Sequence, residues 1–384
     1  MKKILIYLEE NELKNAGGPL GYNYNLKKGL LKFNNDVNFL KTKVSNPSLT
    51  SKLKKIKNRF LRSFLKGVRD LFRYIKLYLP FGHLSKVDLV EYDIVHFHDT
   101  FDLYDVRNSL KKFDGTVVLT THSPILPCKE IGAGVEKWVR VIFFPIFLFE
   151  KKIDKYAFNR TNYIISPCED AMNSYSKYWR KFDAVTREKV KYLITGVYVN
   201  DFDSDEEFIR NKYFLNKDNF NITYLGRHNK IKGYDYLKRI ASSINDDSVR
   251  FIIGGNSGPI KPLKDKKWIE IGFTKDAFPI MKYSNIYISC NKDTYFDLAT
   301  IQALSCGTIV LTKRNGGNLY FEKSNFPGVY LFSTVDEALN LITKIKEMSV
   351  EEIKLISNKI KENVKKHFDI DKFANDYLEL MENL

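Results

Sequence analysis

The chain has 384 residues, 44% apolar and 14% aromatic, and carries a formal charge of +16. That much apolar material supplies a large core, most simply as two domains of ordinary size, and it excludes a disordered or low-complexity chain. The positive field attracts anions of any kind, whether phosphorylated metabolites, nucleic acid or an anionic leaflet, so charge alone selects no function.

Four cysteines, Cys128, Cys168, Cys290 and Cys306, lie far apart with no paired metal spacing. The opening MKKILIYLEENE turns acidic before an apolar stretch long enough for a signal peptide, so a reduced, cytoplasmic chain is expected. No segment reaches the roughly 18 to 20 apolar residues of a spanning helix. The nearest, VIFFPIFLF at 141–149, is short and contains Pro145.

In chain order, short apolar runs alternate with helical patterns. KILIYL (3–8), DVNFL (36–40), DIVHFH (93–98), GTVVLTTH (115–122) and NYIISP (162–167) form one series of strands; NITYLG (221–226), VRFIIGG (249–255), WIEIG (268–272), IYISC (286–290) and TIVLT (308–312) form a second. Alternation of this kind predicts parallel strands with crossover helices, here as two doubly wound sheets. VKYLITGVYVNDFDSDEEF (190–208) runs from a strand through Gly196 into an acidic stretch suited to a linker. The expected division is 1–198, 199–365 and a terminal helical segment 366–384, in which Phe368, Phe373, Tyr377 and Leu380 fall on overlapping helical faces. Doubly wound sheets bind ligands beyond the carboxyl ends of their strands, so the cleft between the two is the expected site.

Residues 52–79, KLKKIKNRFLRSFLKGVRDLFRYIKLYL, place Leu53, Ile56, Phe60, Phe64, Val68, Leu71, Phe72, Ile75 and Leu79 at spacings of three or four among many cations and one acid, Asp70. This is a basic amphipathic helix, the kind that lies on anionic lipid; the alternative is a helix packed on its own domain with a solvated basic face. The aromatic run from Trp138 to Phe149 offers a second surface or ordinary core.

Three strand ends favour anions. NAGGPLGYN (15–23) puts Gly17 and Gly18 in a loop after the first strand, where missing side chains let a phosphate approach backbone amides. LGRHNKIKG (225–233) puts Arg227 and Lys232 at a strand exit, one a forked donor and the other a point charge. DTYFDLATIQALSCGTIVLTKRNGG (293–317) begins a helix near Leu298 and Ala299, whose free amides supply a third. No clustered metal ligands are apparent.

These motifs resemble the retaining glycosyltransferases of the two-domain GT-B fold, specifically the large family 4 of bacterial polysaccharide and lipid glycosylation. The resemblance runs through AGGPLGYN, HFHD, TTHS, IISPCEDA, LITGV, LGRHNKIKG, FIIGGNSG, IGFTKD and FDLATIQALSCG, nearly the whole chain. It implies a GT-B architecture with the terminal helix packing back toward the N-terminal, acceptor-binding domain. It also implies transfer of a sugar from a nucleotide-diphosphate donor to a glycan or lipid-linked acceptor, with retention of configuration and without a metal or other cofactor. UDP is the favoured donor nucleotide and GDP the second. Arg227 and Lys232 would stabilise charge on the departing diphosphate, whose own oxygen helps deprotonate the attacking hydroxyl. His122 would reach the donor sugar, and His98 and Asp99 the acceptor. Gly17, Gly18, Gly255, Phe273, Leu298 and Ala299 would line the donor.

The chain departs from the family pattern at two glutamate positions, occupied by Thr294 and Gln302, and at a glycine, occupied by Asp297. Gln302 can still accept from a ribose hydroxyl through its amide oxygen. Thr294 supplies only a hydroxyl, and Asp297 supplies the missing carboxylate to sugar hydroxyls or caps the helix that follows. The absent glutamates leave open a catalytically weakened GT-B subunit acting as scaffold for another transferase. A nucleic-acid protein lacks any reading motif, and a nucleotide-sugar epimerase, which shares the fold, depends on cleft carboxylates with no counterpart here.

Overall fold

The structure is a computed structural model that describes the chain apart from residues 9–12, 14–17, 41–55, 57, 80–84, 86, 134, 149 and 199–204. Gly17 and Leu53 therefore lie outside the described residues, as do Lys54 and Lys55.

Each half of the chain makes one six-stranded sheet in which every pairing is parallel. The first contains β1 (Ile4–Tyr7), β2 (Val37–Phe39), β3 (Ile94–Phe97), β4 (Thr116–Leu119), β5 (Tyr163–Ser166) and β6 (Val190–Tyr192), in the order β2-β1-β3-β4-β5-β6. The second contains β7 (Phe220–Leu225), β8 (Val249–Gly254), β9 (Trp268–Gly272), β10 (Ile286–Ser289), β11 (Ile309–Lys313) and β12 (Val329–Phe332), in the order β12-β11-β10-β7-β8-β9. Strands covered by helices on both faces read as continuous apolar runs, which is why ILIY, IVHF and IYIS are buried throughout. Strand β12 was not among the expected runs. It is an edge strand of four residues, three of them half-buried, although its run VYLF is as apolar as those that were read.

The last two helices belong to different halves. Helix Val350–His367 starts on a capping box between Ser349 and Glu352 and packs on helix Leu298–Ser305 of the second sheet. Asp369 then caps helix Ile370–Glu382, accepting from the amides of Asp371 and Lys372, and this helix packs on Pro19–Leu30 of the first sheet. Gly29 permits the approach: a Cβ there would stand 2.5 Å from the Ile370 carbonyl oxygen. The chain thus passes between the halves twice. The passages touch where Val197 bridges Asp369 and the Val197 amide donates to Phe368 O at 2.9 Å.

Helix Arg59–Tyr78 opens on Asn58, whose Oδ1 accepts from the amides of Phe60 and Leu61. It buries Gly67, Asp70, Tyr74 and Leu77. Gly67 lies flat on Trp138, and Tyr74 donates to the buried Glu150 carboxylate at 3.0 Å. Most of the apolar stripe read from the sequence therefore faces outward. Phe60 is 82% exposed and Phe72 66%, with Phe64, Ile75 and Leu79 also exposed, while Val68 and Leu71 are half-buried. Phe64 stacks on Trp138, beyond which Val141, at 74%, Ile142 and Phe144 are exposed as well. Among the described residues, no helix is long and apolar enough to cross a membrane.

Candidate active site between the two sheets

The carboxyl ends of the strands in both sheets meet at a cavity that opens to solvent. Gly18, Tyr22, Thr120 and His122 line it from the first half, and Tyr295, Phe296 and Leu298 from the second. The walls are tied together. The Tyr295 hydroxyl donates to Ile165 O at 3.1 Å, and Lys323 bridges Glu169 and Asp170 at 2.9 and 2.6 Å.

On the second sheet, the exits of β10, β7 and β8 stand side by side and are packed backbone to backbone. Gly233 has φ +64°, and a Cβ there would lie 1.7 Å from Cys290 O; Gly255, at φ +131°, is equally close to Gly226 O, at 1.9 Å. Both glycines are fixed by close approach as well as by left-handed backbone. The Tyr224 hydroxyl donates to Arg227 O at 3.1 Å and pins the loop between them. Lys232 and Asp297 come together, Nζ to Oδ2 at 3.8 Å, and the same oxygen accepts from Asn291 Nδ2 at 2.8 Å. Arg227 is exposed at the start of that loop and makes no ion pair with a described residue. Gly255 is half-buried, and Phe273, after β9, is 71% exposed.

The two readings of Asp297 separate here. It occupies the N-cap position of helix Leu298–Ser305, yet its side chain makes no capping hydrogen bond and turns toward Lys232. The first-turn amides at Leu298 and Ala299 are left without a side-chain cap. Gln302, one turn on, is half-buried.

Thr294 is buried, and its hydroxyl accepts from Asn318 Nδ2 at 3.2 Å; Asn318 also donates to Thr312 Oγ1 and Lys313 O. Its carbonyl accepts from the Gly317 amide at 2.8 Å. Cβ atoms at Gly316 and Gly317 would stand 2.1 Å from Thr294 O and 1.8 Å from Tyr295 O, so the glycine pair seats this loop. The Thr294 hydroxyl is thus committed to loop packing, where a hydroxyl toward a donor sugar was expected. Asn318 and Tyr295 gave no signal in the sequence beyond ordinary residue type.

The first sheet presents a stack of imidazoles. Alternation along β3 puts His96 and His98 on one face, with ring centroids 4.2 Å apart. His96 meets Tyr377 Oη at 3.1 Å through Nδ1 and Thr120 Oγ1 at 2.9 Å through Nε2. His98 Nδ1 lies 2.8 Å from Nε2 of His122, which holds a left-handed backbone, φ +52°. Tyr22 packs its ring against both, at 5.4 and 4.8 Å. Burial, which penalises the charged form, pulls His96 and His122 down to about 3, and His98 well below its ordinary value. All three are neutral at pH 7. Asp99 instead caps helix Thr100–Asp105, accepting from the Phe101 amide at 2.7 Å, and burial raises its carboxyl. Tyr22 was missed as a cavity-lining residue and His96 as the buried residue packed beneath His98, although GYN after the glycine loop and the first His of HFH marked their places.

Among the described residues, no group of three or more His, Cys, Asp or Glu is arranged to hold a metal ion.

Comparison with known proteins is consistent with this geometry. Residues 219–349 match the family model described as Glycosyl transferases group 1. An uncharacterized 41.2 kDa protein in the cps region of Klebsiella pneumoniae is 25% identical over 174 residues, 44% of each chain. Among solved structures, the Anabaena Alr3699/HepE protein in complex with UDP and glucose superposes with TM-score 0.66 over 100% of both chains at 14% identity. Sucrose-phosphate synthase of Thermosynechococcus elongatus superposes with TM-score 0.68 over 99% of this chain and 98% of its own, at 16% identity. The chain therefore has the GT-B fold over its full length, and the second of its two sheets carries the sequence match to the group 1 glycosyl transferases.

Proposed function

We propose that the protein transfers a sugar from a nucleotide-diphosphate donor, UDP first and GDP second, to a glycan or lipid-linked acceptor, with retention and without a metal, in surface polysaccharide or glycolipid assembly. The observation that carries this reading is the convergence of Lys232, on the loop that Arg227 opens, with the uncapped start of helix Leu298–Ser305, whose Leu298 lines the same cavity as His122. A departing diphosphate there meets an ammonium, a guanidinium and helix amides, and such preorganised donors act where charge develops. Its released oxygen takes the proton of the attacking hydroxyl, so no protein carboxylate forms a covalent bond to the sugar. In this reading Gln302 accepts from the ribose, Asp297 orients Lys232, and Thr294 supports the loop without touching the donor. The match of residues 219–349 and the UDP and glucose in the Anabaena neighbour support the donor assignment.

Thermal unfolding across UDP, GDP, ADP and CMP tests it. A ligand at one hundred times its Kd adds about 2.7 kcal/mol of stability, and UDP is expected to raise the midpoint most. No stabilisation by any diphosphate defeats the proposal, and stabilisation without transfer or hydrolysis of any donor sugar favours the scaffold reading.

The outward apolar stripe on helix Arg59–Tyr78, continued by Val141, Ile142 and Phe144 and flanked by Arg62, Lys66, Arg69, Arg73 and Lys76, supports peripheral attachment to an anionic cytoplasmic leaflet, where a lipid-linked acceptor would be met. Co-sedimentation with phosphatidylglycerol vesicles is expected and should be lost when Phe60, Phe72 and Ile142 become Ser, or when Lys54, Lys55, Arg59 and Arg62 lose their charge. Sedimentation unchanged by both sets removes this part.

A further inference from the structure

We infer that His98 is a positioning residue that fixes His122 in one tautomer, so that His122 presents Nδ1–H to the cleft as a neutral hydrogen-bond donor. This rests on the reading that His122 faces the transferred sugar.

Two neutral imidazoles joined at 2.8 Å share one hydrogen, which leaves two possible arrangements. In one, His98 Nδ1–H donates to His122 Nε2, and His122 keeps its hydrogen on Nδ1. In the other, His122 Nε2–H donates to His98 Nδ1; His122 Nδ1 is then bare and His98 holds its hydrogen on Nε2. The environment of His98 decides between them. Its Nε2 is buried and has no partner. A stranded N–H is the rarer outcome in folded proteins, and a lone pair left without a donor the more tolerable one. The first arrangement puts the lone pair there and the hydrogen on Nδ1.

The surroundings hold His98 in place for this task. His96 lies beneath it at 4.2 Å, with both of its own ring nitrogens taken by Thr120 and Tyr377, so it cannot turn to serve His98 Nε2 without breaking one of those bonds. Tyr22 closes the side. On His122 the shared bond uses Nε2 and helps hold a backbone conformation that a non-glycine residue adopts at a cost. The nitrogen left over, Nδ1, is the one the pair does not use. As a neutral donor it suits an oxygen of the donor sugar, and it cannot accept the acceptor's proton at that atom. The wall opposite the diphosphate site therefore orients the sugar and takes no part in proton transfer.

The test is nitrogen NMR of the full chain labelled with ¹⁵N-histidine, alone and with UDP. In the wild type, His122 should show a protonated Nδ1 and a bare Nε2 as a single species. His98→Ala should convert it to a mixture with partial Nε2–H, with kcat for donor turnover reduced about tenfold and the KM for the donor little changed. His98→Asn, whose amide can still donate to Nε2, should restore the single species. A wild-type His122 protonated at Nε2 overturns the assignment, and a His122 tautomer unchanged in a folded His98→Ala overturns the positioning role. Because the spectrum is read without ligand, it decides this inference even if UDP fails to bind, an outcome that would defeat the broader function alone.

Discussion

The two walls of the cleft are built by opposite means. On the second sheet, loops are fixed backbone against backbone, with glycines at 233, 255, 316 and 317 closing distances that no side chain would fit, and the side chains left over are cations. On the first sheet, side chains do the fixing, through three stacked imidazoles, two tyrosines and a threonine, and none of the histidines is charged at neutral pH. The contrast teaches where charge can be stored. A cation tolerates only a place that water or an anion can reach, so it needs a rigid loop at the surface; an aromatic wall excludes water and keeps its groups neutral.

Removing the charge from one wall should have the largest effect. Arg227→Ala and Lys232→Ala should each lower sugar transfer by about 10² to 10³-fold, or about 3 to 4 kcal/mol of transition-state stabilisation. Arg227→Ala should barely move the unfolding midpoint, since the guanidinium makes no ion pair with a described residue. Wild-type turnover in both variants would break the comparison outright.

The neutral wall should announce itself in acid. Unfolded histidines bind a proton below pH 6.5, whereas His96 and His122 resist it in the folded chain until about 3. Their stabilising contribution is therefore complete above pH 6.5 and falls as the pH drops from there toward 3, by roughly 1.4 kcal/mol per pH unit for each histidine. Urea midpoints of the wild type and His96→Gln, measured at intervals between pH 7 and 4, should converge as the pH falls. Parallel curves would mean that His96 is protonated in the folded state.

The smallest effect should come from the seam between the walls. Lys323 is more than half exposed, so solvent weakens its bridge to Glu169 and Asp170, and Lys323→Ala should lower the midpoint of thermal unfolding only slightly. A larger loss would show that the walls depend on this contact more than on Tyr295 and the aromatic packing.

How far the sequence disclosed this depended on range. Eleven of the twelve strands were legible, and eight of them are buried almost throughout, which leaves little polar alternation to interpret. The cations of LGRHNKIKG were singled out by their place at a strand exit, and His122 by the resemblance of TTHS to the family pattern. Contacts between distant residues were not legible: Asn318 with Thr294 spans 24 positions, Tyr377 with His96 spans 281, and nothing local marks either pair. Asp297 was ambiguous because capping and ion pairing ask for the same residue type, and only the three-dimensional neighbourhood of Lys232 separates them. For helix Arg59–Tyr78, periodicity identified the helix and its apolar stripe, but the face that packs on the domain was not legible, since Gly67 and Asp70 do not look like core.

The paired passage of the chain between its halves sets how they can move. A lone tether would let one half spin freely on the other. Two segments crossing side by side at Val197 and Asp369, and bonded to each other there, resist torsion the way two pins do in a door. Torsion about the crossing is therefore resisted more strongly than bending across it.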